Sequence, residues 1–350
     1  MKVEIAVTQE ILQLVARIDE FKGRWQALKA IDRDRLTQLR RTATIESIGS
    51  STRIEGSKMT DVQVETLLAN IEIQNFTTRD EQEVAGYAKV MDLVFDSWEF
   101  LKLDENHLFQ LHTALLSFSS KDERHRGQYK SLDNHVAAFD PDGKPLGVVF
   151  ETSSPFDTPR HMEELLEWHR KSLNNDQLHP LLRVGAFVVW FLAIHPFQDG
   201  NGRLSRILTA LLLLQAGYSH VPYASIERIV EDNKEAYYRA LRATQSSFRS
   251  AEADWEPWII FFLQTLAKQC EVLRQKVEDH RVMQIKQLSP FSAEVLQLFE
   301  QHPHLTNREI VALTGSNRNT VKRVLGELVK EQLLAVEGQG RSVRYRVLQQ

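Results

Sequence analysis

Apolar residues recur at three- and four-residue steps in "ILQLVARIDEFKGRW", "VQVETLLANIEI" and "EVAGYAKVMDLVFDSWEFL". That period is one face of a helix. Thr60 and Gln63 have capping-box spacing ahead of the second run, and "ENHLFQLHTALL" predicts a further helix. Between Lys121 and Asp157 the pattern breaks at Gly127, Pro141, Gly143, Pro145, Gly147 and Pro155. Within it "HVAAF" and "LGVVF" flank the turn signal "DPDG" and predict a small β-hairpin. Helices resume at "HMEELLEWHRKSL" and continue to about Gln287.

A boundary falls at "KQLSPF", residues 286–291. Beyond it "SAEVLQLFEQ" predicts a helix, and "TNREIVALTG" opens on Thr306 with Glu309 and closes on Gly315. In "NTVKRVLGELVKEQLL", Val321, Val324, Leu325 and Leu328 form one apolar stripe. "LAVEGQGRSVRYRVL" predicts two strands around a Gly-x-Gly turn. Helix, helix-turn-helix and hairpin is the order of a winged-helix domain. The expectation is a mainly α chain in three parts: a helical region 1–104, a core with following helices 105–285, and a winged helix 286–350.

Composition narrows the class. The 350 residues suffice for two or three domains, and a net charge of −4 gives no chain-wide case for nucleic acid or membrane. Cys270 is the only cysteine, which excludes an internal disulfide and a thiolate-rich metal site. The N-terminal "MKVEIAVTQEILQ" lacks the apolar core of a signal peptide, and Arg183 interrupts the longest apolar run. These features lead us to expect a soluble, cytoplasmic protein with no membrane partner.

"HPFQDGNGRLSR", residues 195–206, lies between two strongly apolar segments, "LLRVGAFVVWFLAI" and "ILTALLLLQAG". His195 ends the first helix, and Gly200, Asn201 and Gly202 form a turn before Arg203. Such a turn aims successive backbone N–H groups at one point, and a helix N-terminus adds partial positive charge. Arg203 and Arg206, three apart, can face the same mouth. Backbone donors with two guanidinium forks suit a polyphosphate. Asp199, with no basic neighbour that must be its partner, is expected to hold Mg²⁺ beside the phosphates. His195 is the candidate general base. The chemistry predicted is attack on a nucleoside triphosphate by a hydroxyl that His195 deprotonates.

In this order the residues resemble the Fic family signature, His-Pro-Phe-x-(Asp/Glu)-Gly-Asn-Gly-Arg-x-x-Arg, at every fixed position. The resemblance implies transfer of AMP from ATP to a Ser, Thr or Tyr hydroxyl of a target protein. His195 would be the base, Asp199 the Mg²⁺ ligand, and Gly200, Asn201 and Gly202 the anion hole. Arg203 would serve the β-phosphate and Arg206 the γ-phosphate, with Phe197 a buried anchor. It extends from about residue 20 to about residue 250. It implies a flap near Lys130–Phe139 that registers the target by strand addition. Lys130 stands where relatives often carry Arg, so no role is assigned to it. "NKEAYYRAL" is similar to the stretch lining the family's nucleoside pocket, which makes Asn233, Tyr237 and Tyr238 candidates. Gly202 argues against the family's kinase-like branch, which has Lys there.

"SSTRIEG", residues 50–56, resembles the family's inhibitory motif, with Ser51, Glu55 and Gly56 at its fixed positions. The resemblance implies that Glu55 pairs with Arg206 and blocks the γ-phosphate position. It also leaves room for the reverse reaction, removal of AMP with Glu55 orienting a water.

From Thr314 onward seven Lys or Arg face three Glu, a local balance of +4. Arg318, Asn319, Lys322 and Arg323 cluster at the start of the expected recognition helix, with Arg341 and Arg344 on the wing. Duplex DNA is the partner this pattern suits, although winged helices also bind proteins. A rival to the enzyme is therefore a DNA-binding regulator whose Fic-like part senses nucleotide. Self-modification and a homodimer stay open as further partner states.

Overall fold

The computed structural model describes residues 3–27, 33–70, 76–119, 121–139, 145–174, 177–248, 250, 252–287, 289–302, 304–331, 333–338 and 343–348. Among these, fourteen α-helices and two hairpins are formed. Five helices come first: α1 Gln9–Ala27, α2 Arg33–Ile54, α3 Asp61–Ala69, α4 Arg79–Ser97 and α5 Glu105–Leu115. The hairpin β1 His135–Phe139 and β2 Pro145–Glu151 follows, then α6 Thr158–Leu173, α7 Pro180–Ile194 and α8 Asn201–Gln215. Next are α9 Ile226–Asp232, α10 Lys234–Ser247 and the long α11 Glu256–Gln287. The last elements are α12 Pro290–Gln301, α13 Asn307–Thr314, α14 Arg318–Lys330, β3 Leu334–Glu337 and β4 Arg344–Val347. The mainly α architecture with one small hairpin and a terminal winged helix agrees with the periodicity.

The chain divides into two compact units, Met1–Lys22 with Leu39–Cys270, and Gly23–Gln38 with Glu271–Gln350. The segment carrying "SSTRIEG" thus shares one unit with the hairpin and the central motif, whereas the sequence suggested a separate region ending at residue 104. Its small residues explain this: Ser47, Ser50, Ser51 and Thr52 at the end of α2 are buried, so that helix end runs through the core.

In this first unit α7 packs against α6, α8 and α10, and α4 and α5 pack against α8. Nearly every residue of α7 is buried, from Leu181 to Ile194, which its unbroken apolar pattern requires. Capping boxes close the starts of α3 (Thr60, Gln63) and α4 (Thr78, Glu81). β1 and β2 pair antiparallel from His135↔Glu151 to Phe139↔Pro145, with two register shifts. The expected turn "DPDG" lies outside the described residues.

The second unit contains the winged helix. Thr306 and Glu309 cap α13, and Gly315 ends it in a left-handed conformation. Val321, Val324, Leu325 and Leu328 of α14 are buried with Val295, Leu305, Ile310 and Leu334. β3 and β4 pair antiparallel, and Leu305 bridges to Tyr345 as a short third strand. No helix among the described residues is long and apolar enough to cross a membrane.

Candidate active site

The loop between α7 and α8 begins with an uncommon backbone. His195 caps α7 at φ 54°, the one non-glycine residue with positive φ among those described. Its N–H donates to the Phe191 carbonyl at 2.9 Å. Nδ1 lies 3.4 Å from the Leu192 carbonyl, which places the ring proton on Nδ1 and leaves Nε2 to accept one. Desolvation first, then the Lys130 ammonium, pushes the imidazole down to about 4. The ring is therefore neutral near pH 7.

Several buried groups hold the loop in this shape. Phe197 is fully buried and stacks on the His112 ring, centroids 3.8 Å apart. Asn201 accepts from the Phe197 N–H at 2.9 Å and donates to its carbonyl at 2.7 Å. His112 Nδ1 accepts from the Gly127 N–H at 2.9 Å, so Nε2 carries the proton and donates to the Asp199 carbonyl at 3.0 Å. Lys130 is buried and donates to Asn134 Oδ1 and Thr152 Oγ1, both at 2.8 Å, and to the Ile194 carbonyl at 3.2 Å. Its own N–H donates to the Pro196 carbonyl at 2.9 Å. Lys130 thus ties the base of the hairpin to the catalytic loop, a role the sequence did not reveal. Burial pushes its ammonium down to about 8.

At the other end of the loop Gly200 takes φ 82° and opens α8. The first helical hydrogen bond runs from Leu204 N–H to the Gly200 carbonyl at 2.9 Å, so the N–H groups of 201–203 project from the helix start. The Asn201 side chain is spent on the loop. Arg203 is 2% exposed. Its Nη2 reaches Asp199 Oδ1 at 3.1 Å and its Nη1 lies 3.6 Å from Glu83 Oε2. Arg206 donates from Nε to Ser51 Oγ at 2.8 Å, and from Nη2 to the Ser51 carbonyl at 3.0 Å and Glu55 Oε1 at 2.7 Å. Nε and Nη1 of Arg203 and Nη1 of Arg206 are buried without a hydrogen-bond partner. Unsatisfied cationic donors at a helix N-terminus are what a bound polyphosphate would complete.

Asp199 corrects the sequence reading. It was expected to lack a basic partner, yet Arg203 pairs with Oδ1 and Arg79 Nη2 stands 3.8 Å from Oδ2. The Arg203 pair is one helical turn away in sequence; Arg79 comes from the start of α4. Burial works to raise the carboxyl, but Arg203, the Gly200 N–H and Arg79 outweigh it and hold it below the usual range. Oδ2 accepts no hydrogen bond from the described residues, and the carboxylate is 31% exposed. One carboxylate oxygen beside a phosphate cradle suits Mg²⁺, which takes few protein ligands and several from substrate. No cluster of three or more His, Cys, Asp or Glu with metal-site geometry exists among the described residues.

Glu55 follows the last residue of α2 and reaches into this cradle. A side chain at Gly202 would place its first carbon 2.2 Å from Glu55 Oε1, so any larger residue there would have to push the carboxylate aside. Glu55 is 34% exposed. Burial works to raise its carboxyl, but Arg206, Arg203 and His195 together hold it low. Arg53 fixes the helix end: it donates to Glu231 at 2.6 and 3.0 Å and to the Met59 carbonyl at 2.9 Å. Arg228 pairs with Asp61, which also pairs with Arg53. Gly56 takes φ 107° where the chain leaves the helix.

The three nucleoside-pocket candidates separate. Tyr237 is buried next to Arg206 and Glu55, and Tyr238 lies against it with centroids 5.1 Å apart. Asn233 is exposed, and its Nδ2 donates to the Ile229 carbonyl at 2.8 Å. It caps the end of α9, and that bond uses one of its two amide N–H groups.

In the second unit Arg318, Asn319, Lys322 and Arg323 are exposed on α14, and Arg344 is exposed on β4. Arg323 donates to Glu327 at 2.7 Å. Arg341 lies outside the described residues.

Residues 102–213 match the model of the Fic/DOC family, and residues 292–338 match the IclR helix-turn-helix domain. A curated protein of Drosophila persimilis named Protein adenylyltransferase Fic is 25% identical over 260 residues, 73% of this chain and 46% of that protein. The protein of the same name from Drosophila melanogaster is 25% identical over 249 residues, 70% and 45%. The chain thus spans just under half the length of these curated relatives. A solved Fic family protein from Desulfovibrio desulfuricans superposes with a TM-score of 0.64 at 24% identity, covering 100% of this chain and 99% of that one. Fic-1 from C. elegans gives 0.58 at 17% identity, covering 79% and 73%. The structural matches establish the fold.

Proposed function

The chain carries a Fic domain and a C-terminal helix-turn-helix domain, and on that premise we propose that it transfers AMP from ATP to a hydroxyl of a target protein. The observation that carries this reading is the set of buried guanidinium nitrogens on Arg203 and Arg206 without hydrogen-bond partners, beside the start of α8. The triphosphate lies across that helix start, and the two arginines receive its β- and γ-phosphates. Neutral His195 Nε2 takes the proton of the target hydroxyl. The hydroxyl oxygen bonds to the α-phosphorus, the bond to the bridging oxygen of the β-phosphate breaks, and pyrophosphate leaves. Asp199 would hold Mg²⁺ through Oδ2, and the ion, when bound, neutralises phosphate charge. β1 and β2 would register the target chain, with Lys130 fixing the hairpin relative to His195. Tyr237 and Tyr238 border the nucleoside side.

Glu55 acts as a brake in this scheme. Its carboxylate occupies the place of the γ-phosphate and neutralises Arg206. ATP then binds in a pose unsuited to in-line attack. The partial exposure of Glu55 at the mouth also favours a second reading, in which it orients a water for removal of AMP. The exposed basic start of α14 supports binding of duplex DNA by the second unit.

The test is transfer of label to lysate proteins from ATP labelled at the α- or the γ-phosphate. Adenylyl transfer predicts label from the α-phosphate only, lost in His195→Ala. Label from the γ-phosphate that appears only with the added chain and is lost in His195→Ala would show phosphoryl transfer and overturn the reading.

A further inference from the structure

Arg79 occupies the first position of α4, directly after the capping Thr78. A cation there opposes the helix dipole, and an Arg ahead of a Glu four residues on is the weaker order for such a pair. Something besides local helix stability must hold it. Arg79 Nε donates to Glu83 Oε1 at 2.7 Å, and Nη2 stands 3.8 Å from Asp199 Oδ2. Glu83 is 8% exposed and its second oxygen faces Arg203 at 3.6 Å; Arg203 in turn holds Asp199 Oδ1 at 3.1 Å. Two carboxylates and two guanidiniums thus close a neutral ring, with Lys121 and Asp122 at its edge. Its two long joints are Arg203 to Glu83, where both side chains are buried, and Arg79 to Asp199, where Arg79 is 64% exposed and free to swing.

We propose that Arg79 is the placeholder for the divalent cation at Asp199, so that the ion enters only together with the nucleotide. The proposal rests on Asp199 as the cation ligand. A dication on Oδ2 of the free protein would meet the Arg79 guanidinium at close range, with Arg203 behind it. Repulsion at that distance weakens ion binding about tenfold or more. A polyphosphate reverses the balance, because its oxygens ligate the ion and give Arg79 a new anionic partner. Arg79 then turns from Asp199 to the phosphates, pivoting on the bond to Glu83.

The experiment measures Mn²⁺ binding by electron paramagnetic resonance. It uses the full chain with and without an α,β-methylene analogue of ATP. Wild type should bind Mn²⁺ weakly alone and at least tenfold more tightly with the analogue. Arg79→Ala should bind Mn²⁺ without nucleotide about tenfold more tightly than wild type, and adding Asp199→Ala should abolish that gain. Arg79→Gln should shift in the same direction. It gives a second reading should Arg79→Ala lose its melting transition. Equal nucleotide-free affinity in wild type and both Arg79 variants overturns the placeholder, even where nucleotide-dependent binding persists. Absence of Mn²⁺ binding with the analogue in every variant overturns the Asp199 assignment itself and the placeholder with it.

Discussion

Arg203 and Arg206 stand one turn apart on the same helix, and both are buried, yet their counterions differ in kind. Arg203 faces Glu83, 8% exposed on α4, and Asp199 of its own loop. Arg206 faces Glu55, which is 34% exposed and lies just past the end of α2. The first set belongs to the frame of the site. The second is a carboxylate at the mouth, where an anionic substrate can compete. Ser51 Oγ and the Ser51 carbonyl hold Arg206 independently of Glu55, so the guanidinium stays aimed when the carboxylate leaves. In the proposed scheme the cradle is built permanently at one arginine and blocked reversibly at the other.

The largest effect should come from a change that touches neither arginine. His195→Ala should lower AMP transfer by about 10²–10⁴ while nucleotide affinity, read by equilibrium binding, stays within a few-fold. A loss of nucleotide affinity as large as the loss of rate would assign His195 to the cradle instead. Next, Glu83→Gln should lower folding stability by about 3 kcal/mol, because it strips a buried guanidinium of a counterion. Glu55→Gln should lower it by less, because the amide and Ser51 can still accept from Arg206 at a partly exposed mouth. Urea unfolding of the two variants checks the contrast, and equal losses would erase it.

A smaller effect concerns pH. Burial pushes His112, which holds the Asp199 carbonyl, down to about 4. The unfolded chain therefore binds more protons than the folded one between about pH 6.5 and 4. Stability should fall as pH drops through that window, by about 2 kcal/mol from this residue at pH 5. Melting temperature against pH tests it, and His112→Gln should flatten the slope. The smallest effect on the site should come from the second unit. Arg318→Ala with Arg323→Ala should reduce the salt dependence of DNA binding by about two counterions and leave AMP transfer unchanged. No DNA binding at low salt by the intact chain would favour a protein partner for this domain.

The central loop was legible because its chemistry is local. A glycine turn, its flanking His and Arg, and the apolar helices on either side all fall within a short stretch, and periodicity located the helix ends. The winged helix was legible for the same reason, its apolar stripe and capping box being local signals. The Glu55–Arg206 pair spans 151 positions and was reached only through the resemblance to Fic proteins. What stayed hidden comes from α4, α5 and the hairpin base. Glu83 and His112 sit on stripes that are otherwise apolar, with Tyr87 and Val94 in one case and Leu108 and Leu115 in the other. A polar residue on a buried stripe is a signal that would have found both. Lys130 gave no such signal, since its burial depends on the hairpin closing over it. Asp199 was misread because a carboxylate and an arginine four apart at a helix start pair readily.

The central claim is that Glu55 holds a competent site shut. The direct measurement is incorporation of label from α-labelled ATP into protein by wild type, Glu55→Gly, Arg206→Ala and the double variant. Glu55→Gly should incorporate roughly ten- to a hundredfold more than wild type, the effect of an opposing ion pair of about 1–3 kcal/mol. Arg206→Ala should show no gain, and the double variant should match it, because the γ-phosphate site is lost in both. Equal incorporation by wild type and Glu55→Gly would contradict the claim and leave Glu55 as a structural partner of Arg206.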